Sequence, residues 1–431
     1  MKTTDNRVAE WQALRNKIGD EHGDAIVAAL RDLYTVFDTD MLRWMASLYD
    51  PAIGGFYYSC SARDNDAVKC KDGEYQLLPD IESTYQALAF MKGVGLTAEG
   101  ESFVDVLPDR VKERIGKFFY DMQDEDGYFY HPQWGKNITI SRQGRDLGSA
   151  LRVLSDLGIT PRYTPPIIGK GGSDEKYDIS KAPERFRSVE NYKSYLYEQN
   201  LAERSYNIGN ELLSQTRQII SYGPMIGADL VGITVDWINA HQNPETGMWH
   251  PELSYYGVNG IHKISQLYNG FGREYPNAEA AFETTSAIIM SDVPVGAGVD
   301  VYNPWHILGA LINNVRKFGK NGEARAEKMI RKAMAIAPAA IAKSKEKILV
   351  FKKPDGSYSY SPGHAAVRSQ GAPVTIPYVP EGDINGNCIA TIGLVSSIYS
   401  ALGLENDIVR IFTPEDGKIF VNIIVEADKR I

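Results

Sequence analysis

One phrase recurs four times along the chain: an acidic or Asn/Pro turn, a glycine, then aromatics. It reads Asp50-Pro-Ala-Ile-Gly-Gly-Phe-Tyr-Tyr58, Asp124-Glu-Asp-Gly-Tyr-Phe-Tyr-His131, Asn243-Pro-Glu-Thr-Gly-Met-Trp-His250 and Pro354-Asp-Gly-Ser-Tyr-Ser-Tyr360. An amphipathic helical pattern precedes each copy, and a second pattern, commonly ending in glycine, follows after a loop. The second patterns cover Ile81–Gly95, Arg145–Gly158, Asn259–Gly272 and Asn385–Gly403. Arg204–Tyr222 and Pro304–Gly319 carry the helical pattern without the phrase, the latter with Asn303 as N-cap and Pro304 in the first turn. Upstream partners are expected at Ala25–Leu48, Asp109–Gln123, Val189–Leu201, Ala228–His241, Ala278–Ser291 and Ala324–Ser344.

Six helical hairpins with long loops between them lack the short fixed period of a solenoid. They predict an all-α fold, an (α/α)6 toroid or helical barrel, as a single domain over 1–431. The segment 160–185, with Pro161-Arg-Tyr-Thr-Pro-Pro near its start, reads as a lid or linker loop. Two helical domains joined across it are the alternative. After Gly403, the β-branched runs Ile408–Thr413 and Ile419–Val425 flank Glu415-Asp-Gly-Lys418, which predicts a short C-terminal β-hairpin within 405–431.

The balance of 46 Lys+Arg against 55 Asp+Glu gives a net charge of −9, which argues against a nucleic-acid partner. No apolar run is long enough to span a bilayer, so no membrane partner is expected. The first residues carry no visible secretory signal; a cytoplasmic location is expected, or a secreted or periplasmic one if a signal was removed. Three cysteines, Cys60, Cys70 and Cys388, make no disulfide framework. With no phosphate-binding glycine loop, Cys-x-x-Cys or His-Glu-x-x-His, neither cofactor nor metal is expected.

The turn-plus-aromatic phrase ahead of a helix resembles (α/α) toroid carbohydrate-active enzymes: toroid polysaccharide lyases and helical-barrel glycoside hydrolases. Gly54-Gly55-Phe56-Tyr57 looks like the signature of N-acylglucosamine 2-epimerase-like isomerases, and Gln123…Asp126-Gly127-Tyr128-Phe129 like the Gln…Gly…Trp repeat of terpene cyclases. No Asp-x-Asp-Asp run supplies the protonating acid of class II cyclases, so the resemblance implies sugar chemistry instead, with a cleft at the mouth where the turns converge.

Five of seven histidines, His131, His250, His262, His306 and His364, fall on or just after these turns. The densest stretch, Trp249-His-Pro-Glu-Leu-Ser-Tyr-Tyr-Gly-Val-Asn-Gly-Ile-His-Lys263, offers imidazole, phenol, carboxamide, carboxylate and ammonium together. Eliminating across C4–C5 of a uronate needs a neutraliser for the carboxylate, a base for the C5 proton and an acid for the leaving oxygen. The candidates are His250 as base, Tyr255 or Tyr302 as acid, and Asn259 with Arg145 as neutraliser and clamp. Expected substrate contacts are Glu82, Trp134, Trp249, Tyr256, His262, Lys263, Trp305, His306 and Asn385. Trp249, Tyr255 and Tyr256 serve equally well as core plugs, and Asn385 as an N-cap.

The expected activity is a lyase acting on a uronate-containing poly- or oligosaccharide. Glu82 with Asp146, Glu252 or Asp383 could instead form the carboxylate pair of a glycoside hydrolase. A cofactor-free sugar epimerase using a histidine pair and a non-catalytic glycan-binding scaffold complete the alternatives.

Overall fold

Each turn phrase folds into a tight turn whose glycine takes a positive φ: 85° at Gly54, 83° at Gly127, 66° at Gly247 and 83° at Gly356. Only glycine enters that region without steric cost. A Cβ on Gly54 would lie 2.5 Å from the carbonyl oxygen of Arg114, one on Gly247 2.5 Å from the amide of Ala281, and one on Gly356 2.8 Å from Asp38 Oδ1. The phrase therefore encodes a turn pressed against a neighbouring helix, which explains why the glycine recurs with it.

The computed structural model describes residues 7–165, 179 and 182–431, and these are mostly helical. Helices α1 (Val8–Ile18), α2 (Gly23–Tyr34) and α3 (Thr39–Ala46) lead to a two-residue hairpin, β1 (Tyr49–Asp50) and β2 (Gly55–Phe56), in which Tyr49 pairs with Phe56. Next come α4 (Cys60–Arg63), an antiparallel pair β3 (Ala67–Cys70) and β4 (Gly73–Gln76), then α5 (Ile81–Val94), α6 (Phe103–Val106), α7 (Asp109–Asp121) and α8 (Ile140–Asp156). After residue 182 follow α9 (Val189–Tyr197), α10 (Leu201–Ser214), α11 (Thr216–Met225), α12 (Leu230–Ala240), α13 (Tyr255–Phe271), α14 (Ala278–Met290), α15 (Val299–Phe318) and α16 (Gly322–Leu349). A small hairpin, β5 (Arg368–Ser369) and β6 (Ala372–Pro373), precedes α17 (Ile384–Cys388), a π-helical turn at Ile389–Gly393, α18 (Leu394–Ala401) and α19 (Pro414–Asp428).

Buried helices pack in a connected series. Helix α5 lies against α8 and α17, α10 against α13, α13 against α15, and α15 against α18. Glycines let several of these backbones approach closely. A Cβ on Gly260 would collide with Ser205 Oγ, one on Gly309 would lie 2.6 Å from Ser400 Oγ, and one on Gly93 2.5 Å from Ile392 Cδ1. Outside them, α2 packs on α16, α14 on α15 and α16, α7 on α8, α9 on α12 and α3 on α19. One continuous apolar core reaches from Trp11 to Ile424. Among the described residues no helix is long and apolar enough to cross a membrane.

Several sequence expectations are corrected. The C-terminal β-hairpin within 405–431 is a helix, α19. Thr413 and Asp416 form a reciprocal capping box with Pro414 in the first turn. The buried Phe420 and Ile424, four residues apart, present a helical face, and α19 packs on α3. Its far end is tied by Arg110 and Arg114 to the nearly buried Asp428 at 3.2 and 3.1 Å. Capping and tertiary packing thus outweigh the β-propensity of the branched residues. The expected helix Ala25–Leu48 is two helices, because Asp38 starts a new one by accepting the Asp40 N–H at 3.1 Å. Arg204–Tyr222 is likewise divided at Gln215. Pro304 sits inside α15, not in its first turn, and the N-cap of α17 is Asp383, not Asn385. Of the lid or linker segment 160–185, residues 166–178 and 180–181 lie outside the described residues. Its near end is anchored where Gln123 Oε1 accepts the Tyr163 N–H at 2.8 Å and Gln123 Nε2 donates to the Tyr163 carbonyl at 2.9 Å.

Candidate functional site

A buried charge network holds the N-terminal ends of α5 and α8 together. Asp80 caps α5 by accepting the Ser83 N–H at 3.1 Å. Arg142, fully buried, reaches Asp80 at 2.6 Å, Asp146 at 2.9 Å and Glu82 at 3.3 Å, with its guanidinium 4.9 Å from the Trp134 ring. Burial pushes the Asp146 carboxyl up to about 7, with Arg142 opposing the shift. Glu82 also accepts from Arg145 Nη1 at 2.7 Å and Ser369 Oγ at 2.8 Å. A charge-assisted contact thus fixes Arg145 on the exposed side of a buried scaffold.

Beyond Arg145, side chains from α13, α15 and one loop gather around Tyr206 of α10. Lys263 Nζ of α13 lies 6.0 Å from the Tyr206 ring centroid, and the Tyr256 ring lies 6.2 Å from it. Arg145 is near enough to both Tyr206 and Tyr302 to oppose the rise in pKa that burial gives each phenol. Tyr302 of α15 has His306 one turn on, with ring centroids 6.3 Å apart, and His306 meets His262 edge-on at 4.9 Å. Tyr360, from the fourth turn phrase, adjoins Tyr206, Tyr302 and Asp300, and burial raises its phenol to about 12.

The environment sets the protonation of these groups. Burial, then the Lys263 charge, lowers the His306 imidazole, and the same two causes with His306 hold His262 well below the ordinary range. Both rings are therefore neutral bases at neutral pH. His262 is 4% exposed, takes Gln266 Nε2 on its Nε2 at 2.6 Å, and leaves Nδ1 without a partner. Burial keeps Tyr302 protonated. Asp300 is raised by burial, opposed by the Gly296 and Ala297 N–H groups at 2.9 and 3.0 Å and by Asn259.

Arg145, Tyr256, Lys263, Tyr302, His262 and His306 therefore meet in one cluster, with Glu82 behind Arg145. No protein-family model matches the chain, and no curated protein does either. The other expected site residues lie elsewhere. His250 stands at the rim, its ring 5.8 Å from Tyr256 and its Nδ1 taken by the Glu252 N–H at 3.2 Å. Asn259 is buried at the edge of the cluster, where its Oδ1 accepts from Asn303 at 2.8 Å and its side chain bonds Asp300. Tyr255 has Lys347 Nζ of α16 5.5 Å from its ring centroid. Trp249 donates to the Ile238 carbonyl at 2.9 Å and Trp305 to Ser344 Oγ at 2.9 Å, both as core residues. Trp134 packs with Tyr58, Ala366, Ala372 and Val374 beneath Arg142. Asn385 is half-buried in the first turn of α17.

Tyr206, Asp300, Tyr360 and Ser369 belong to the cluster or its support and were not singled out from sequence. Tyr360 ends a turn phrase, a visible signal. Tyr206 lies in the helical segment without a phrase, where only its tyrosine identity marks it. Among the described residues no group of three or more His, Cys, Asp or Glu side chains is arranged to hold a metal ion.

Proposed function

We propose that this chain is a carbohydrate-active enzyme whose buried helices close as an (α/α)6 toroid, and that it cleaves uronate-containing oligo- or polysaccharides by β-elimination. The observation that carries the reading is the meeting of Tyr302, His306 and Arg145: a protonated phenol, a neutral imidazole and a guanidinium in one cluster. Among the described residues Arg145 spends only Nη1, on Glu82, so its other donors can bind the C5 carboxylate and stabilise the charge that develops as the C5 proton leaves. His306 takes that proton. Tyr302 gives its own to the departing C4 oxygen, the C4–O bond breaks, and a C4=C5 double bond forms. The base is thus His306 rather than His250, which stands at the rim.

A hydrolase finds less support, because the buried carboxylates are committed. Asp383 accepts from Tyr58 Oη at 3.1 Å and from the Tyr360, Ala366 and Gly386 N–H groups at 2.7, 3.0 and 2.6 Å. Asp146 faces Arg142, and Glu82 is bound on both oxygens. The test is ultraviolet absorbance of the conjugated unsaturated uronate during incubation with alginate, glucuronan, pectate, heparosan and hyaluronan. Rising absorbance on one polymer is expected. A flat trace on all of them, with new reducing ends on any, would overturn elimination in favour of hydrolysis.

A further inference from the structure

Lys263 is a half-buried cation without a counter-ion. It makes no ion pair and no hydrogen bond among the described residues, and its one contact with a polar character is the face of Tyr206 at 6.0 Å. The groups that bear on it are Arg145 from α8, Tyr206 from α10, His306 from α15 and His262 beside it on α13. None is acidic. Glu82 is turned to Arg142, Arg145 and Ser369, and Asp300 to the amides of Gly296 and Ala297. Burial and the Arg145 charge both lower the Lys263 ammonium from its ordinary range. A cation held in a cleft beside a second cation is unfavourable unless something absent from the chain compensates it.

We propose that Lys263 and Arg145 together receive one carboxylate of an acidic sugar between α8 and α13, and that the amine of Lys263 takes a proton from solvent as that carboxylate docks. An opposite charge within a few ångströms favours the ammonium, so docking draws a proton onto an amine whose hold on it burial and the Arg145 charge weaken. The docked anion also relieves the repulsion between the two cations. Acidic sugars are thereby selected over neutral ones by charge, before any bond is broken. The inference rests on this cleft being a sugar site, as in the proposed function, but not on the elimination.

The test is calorimetric titration of the full chain with glucuronate, galacturonate and mannuronate, each beside its neutral parent sugar. Titrations are run in pairs of buffers of different ionisation heat at several pH values on the alkaline side, because burial and Arg145 lower the Lys263 ammonium. At least one uronate is expected to bind about tenfold or more tighter than its parent, with an apparent heat that changes with buffer because a proton is absorbed. Lys263→Met should lose both the preference and the uptake while retaining its helical circular dichroism. Lys263→Arg, permanently charged, should keep the preference and lose the uptake. Equal binding of acidic and neutral sugars, binding of neither, or a preference that survives in Lys263→Met would overturn the proposal. Uptake that persists in Lys263→Arg would place the proton on His306 and overturn the assignment to Lys263. A uronate preference without any unsaturated product would contradict the lyase reading alone.

Discussion

His131 illustrates how one residue can be bound to a structural duty. Its Nε2 donates to the Pro79 carbonyl at 2.5 Å and its Nδ1 accepts the Gln133 N–H at 3.1 Å. That pattern suits one neutral tautomer, and protonating Nδ1 would break the second bond. Burial, opposed by Asp80, lowers the imidazole from 6.5 to about 4. A depressed folded pKa gives stability that is present above 6.5 and lost as pH falls toward 4, a loss of about 3 kcal/mol. Urea unfolding across that range should show the decline, and His131→Gln should flatten it; an unchanged slope in the variant would contradict the assignment. Arg142 is the stronger case. Arg142→Ala leaves Asp80 and Asp146 buried without a cation and Glu82 with Arg145 alone, and should cost about 3–5 kcal/mol in the same assay. Of the five histidines that the sequence groups at the turns, His262 and His306 come together while His131 is bound to the backbone, because the spacing from a turn does not tell a capping imidazole from a clustered one. Tyr255, Trp249 and Trp305 were not, since a large aromatic beside a helix start fills a core as readily as a cleft, and only the neighbouring elements decide which.

At the scale of elements, the glycines separate two situations. Gly260 of α13 faces Ser205 of α10 with no room for a methyl group, whereas a Cβ on Gly148 of α8 would meet nothing within 4 Å. Gly260→Ala should therefore destabilise by about 1–3 kcal/mol through overpacking. Gly148→Ala should stabilise by about 0.5–1 kcal/mol by restricting the unfolded chain. Chemical denaturation of both variants checks the pair, and a common sign would contradict the packing described. The existence of nearly every long helix was legible from periodicity. The ends were less so, because caps such as Asp38 and Asp383 compete with equally plausible neighbours. The tail was misread although Thr413-Pro414-Glu415-Asp416 carries a helix start. Its branched residues satisfy both a strand and a helix pattern, and the contact with α3 that selects the helix is invisible in one dimension.

At the scale of the molecule, four helices and one loop bring side chains to one cluster from positions spread between 145 and 360. Arg145 comes from α8, Tyr206 from α10, Lys263 from α13, Tyr302 and His306 from α15, and Tyr360 from a turn. Tyr302 and His306 are one turn apart on α15, but bringing them to His262 and Lys263 depends on how α15 packs on α13, which the sequence does not show. The central claim is that chemistry resides in this pair and not at the rim. Its most direct test compares Tyr302→Phe with His250→Ala on whichever acidic polymer yields an unsaturated product. The account predicts that Tyr302→Phe lowers kcat by about 10²–10⁴ with little change in KM, while His250→Ala stays within a few-fold of the parent. Loss of activity in His250→Ala with Tyr302→Phe intact would contradict it.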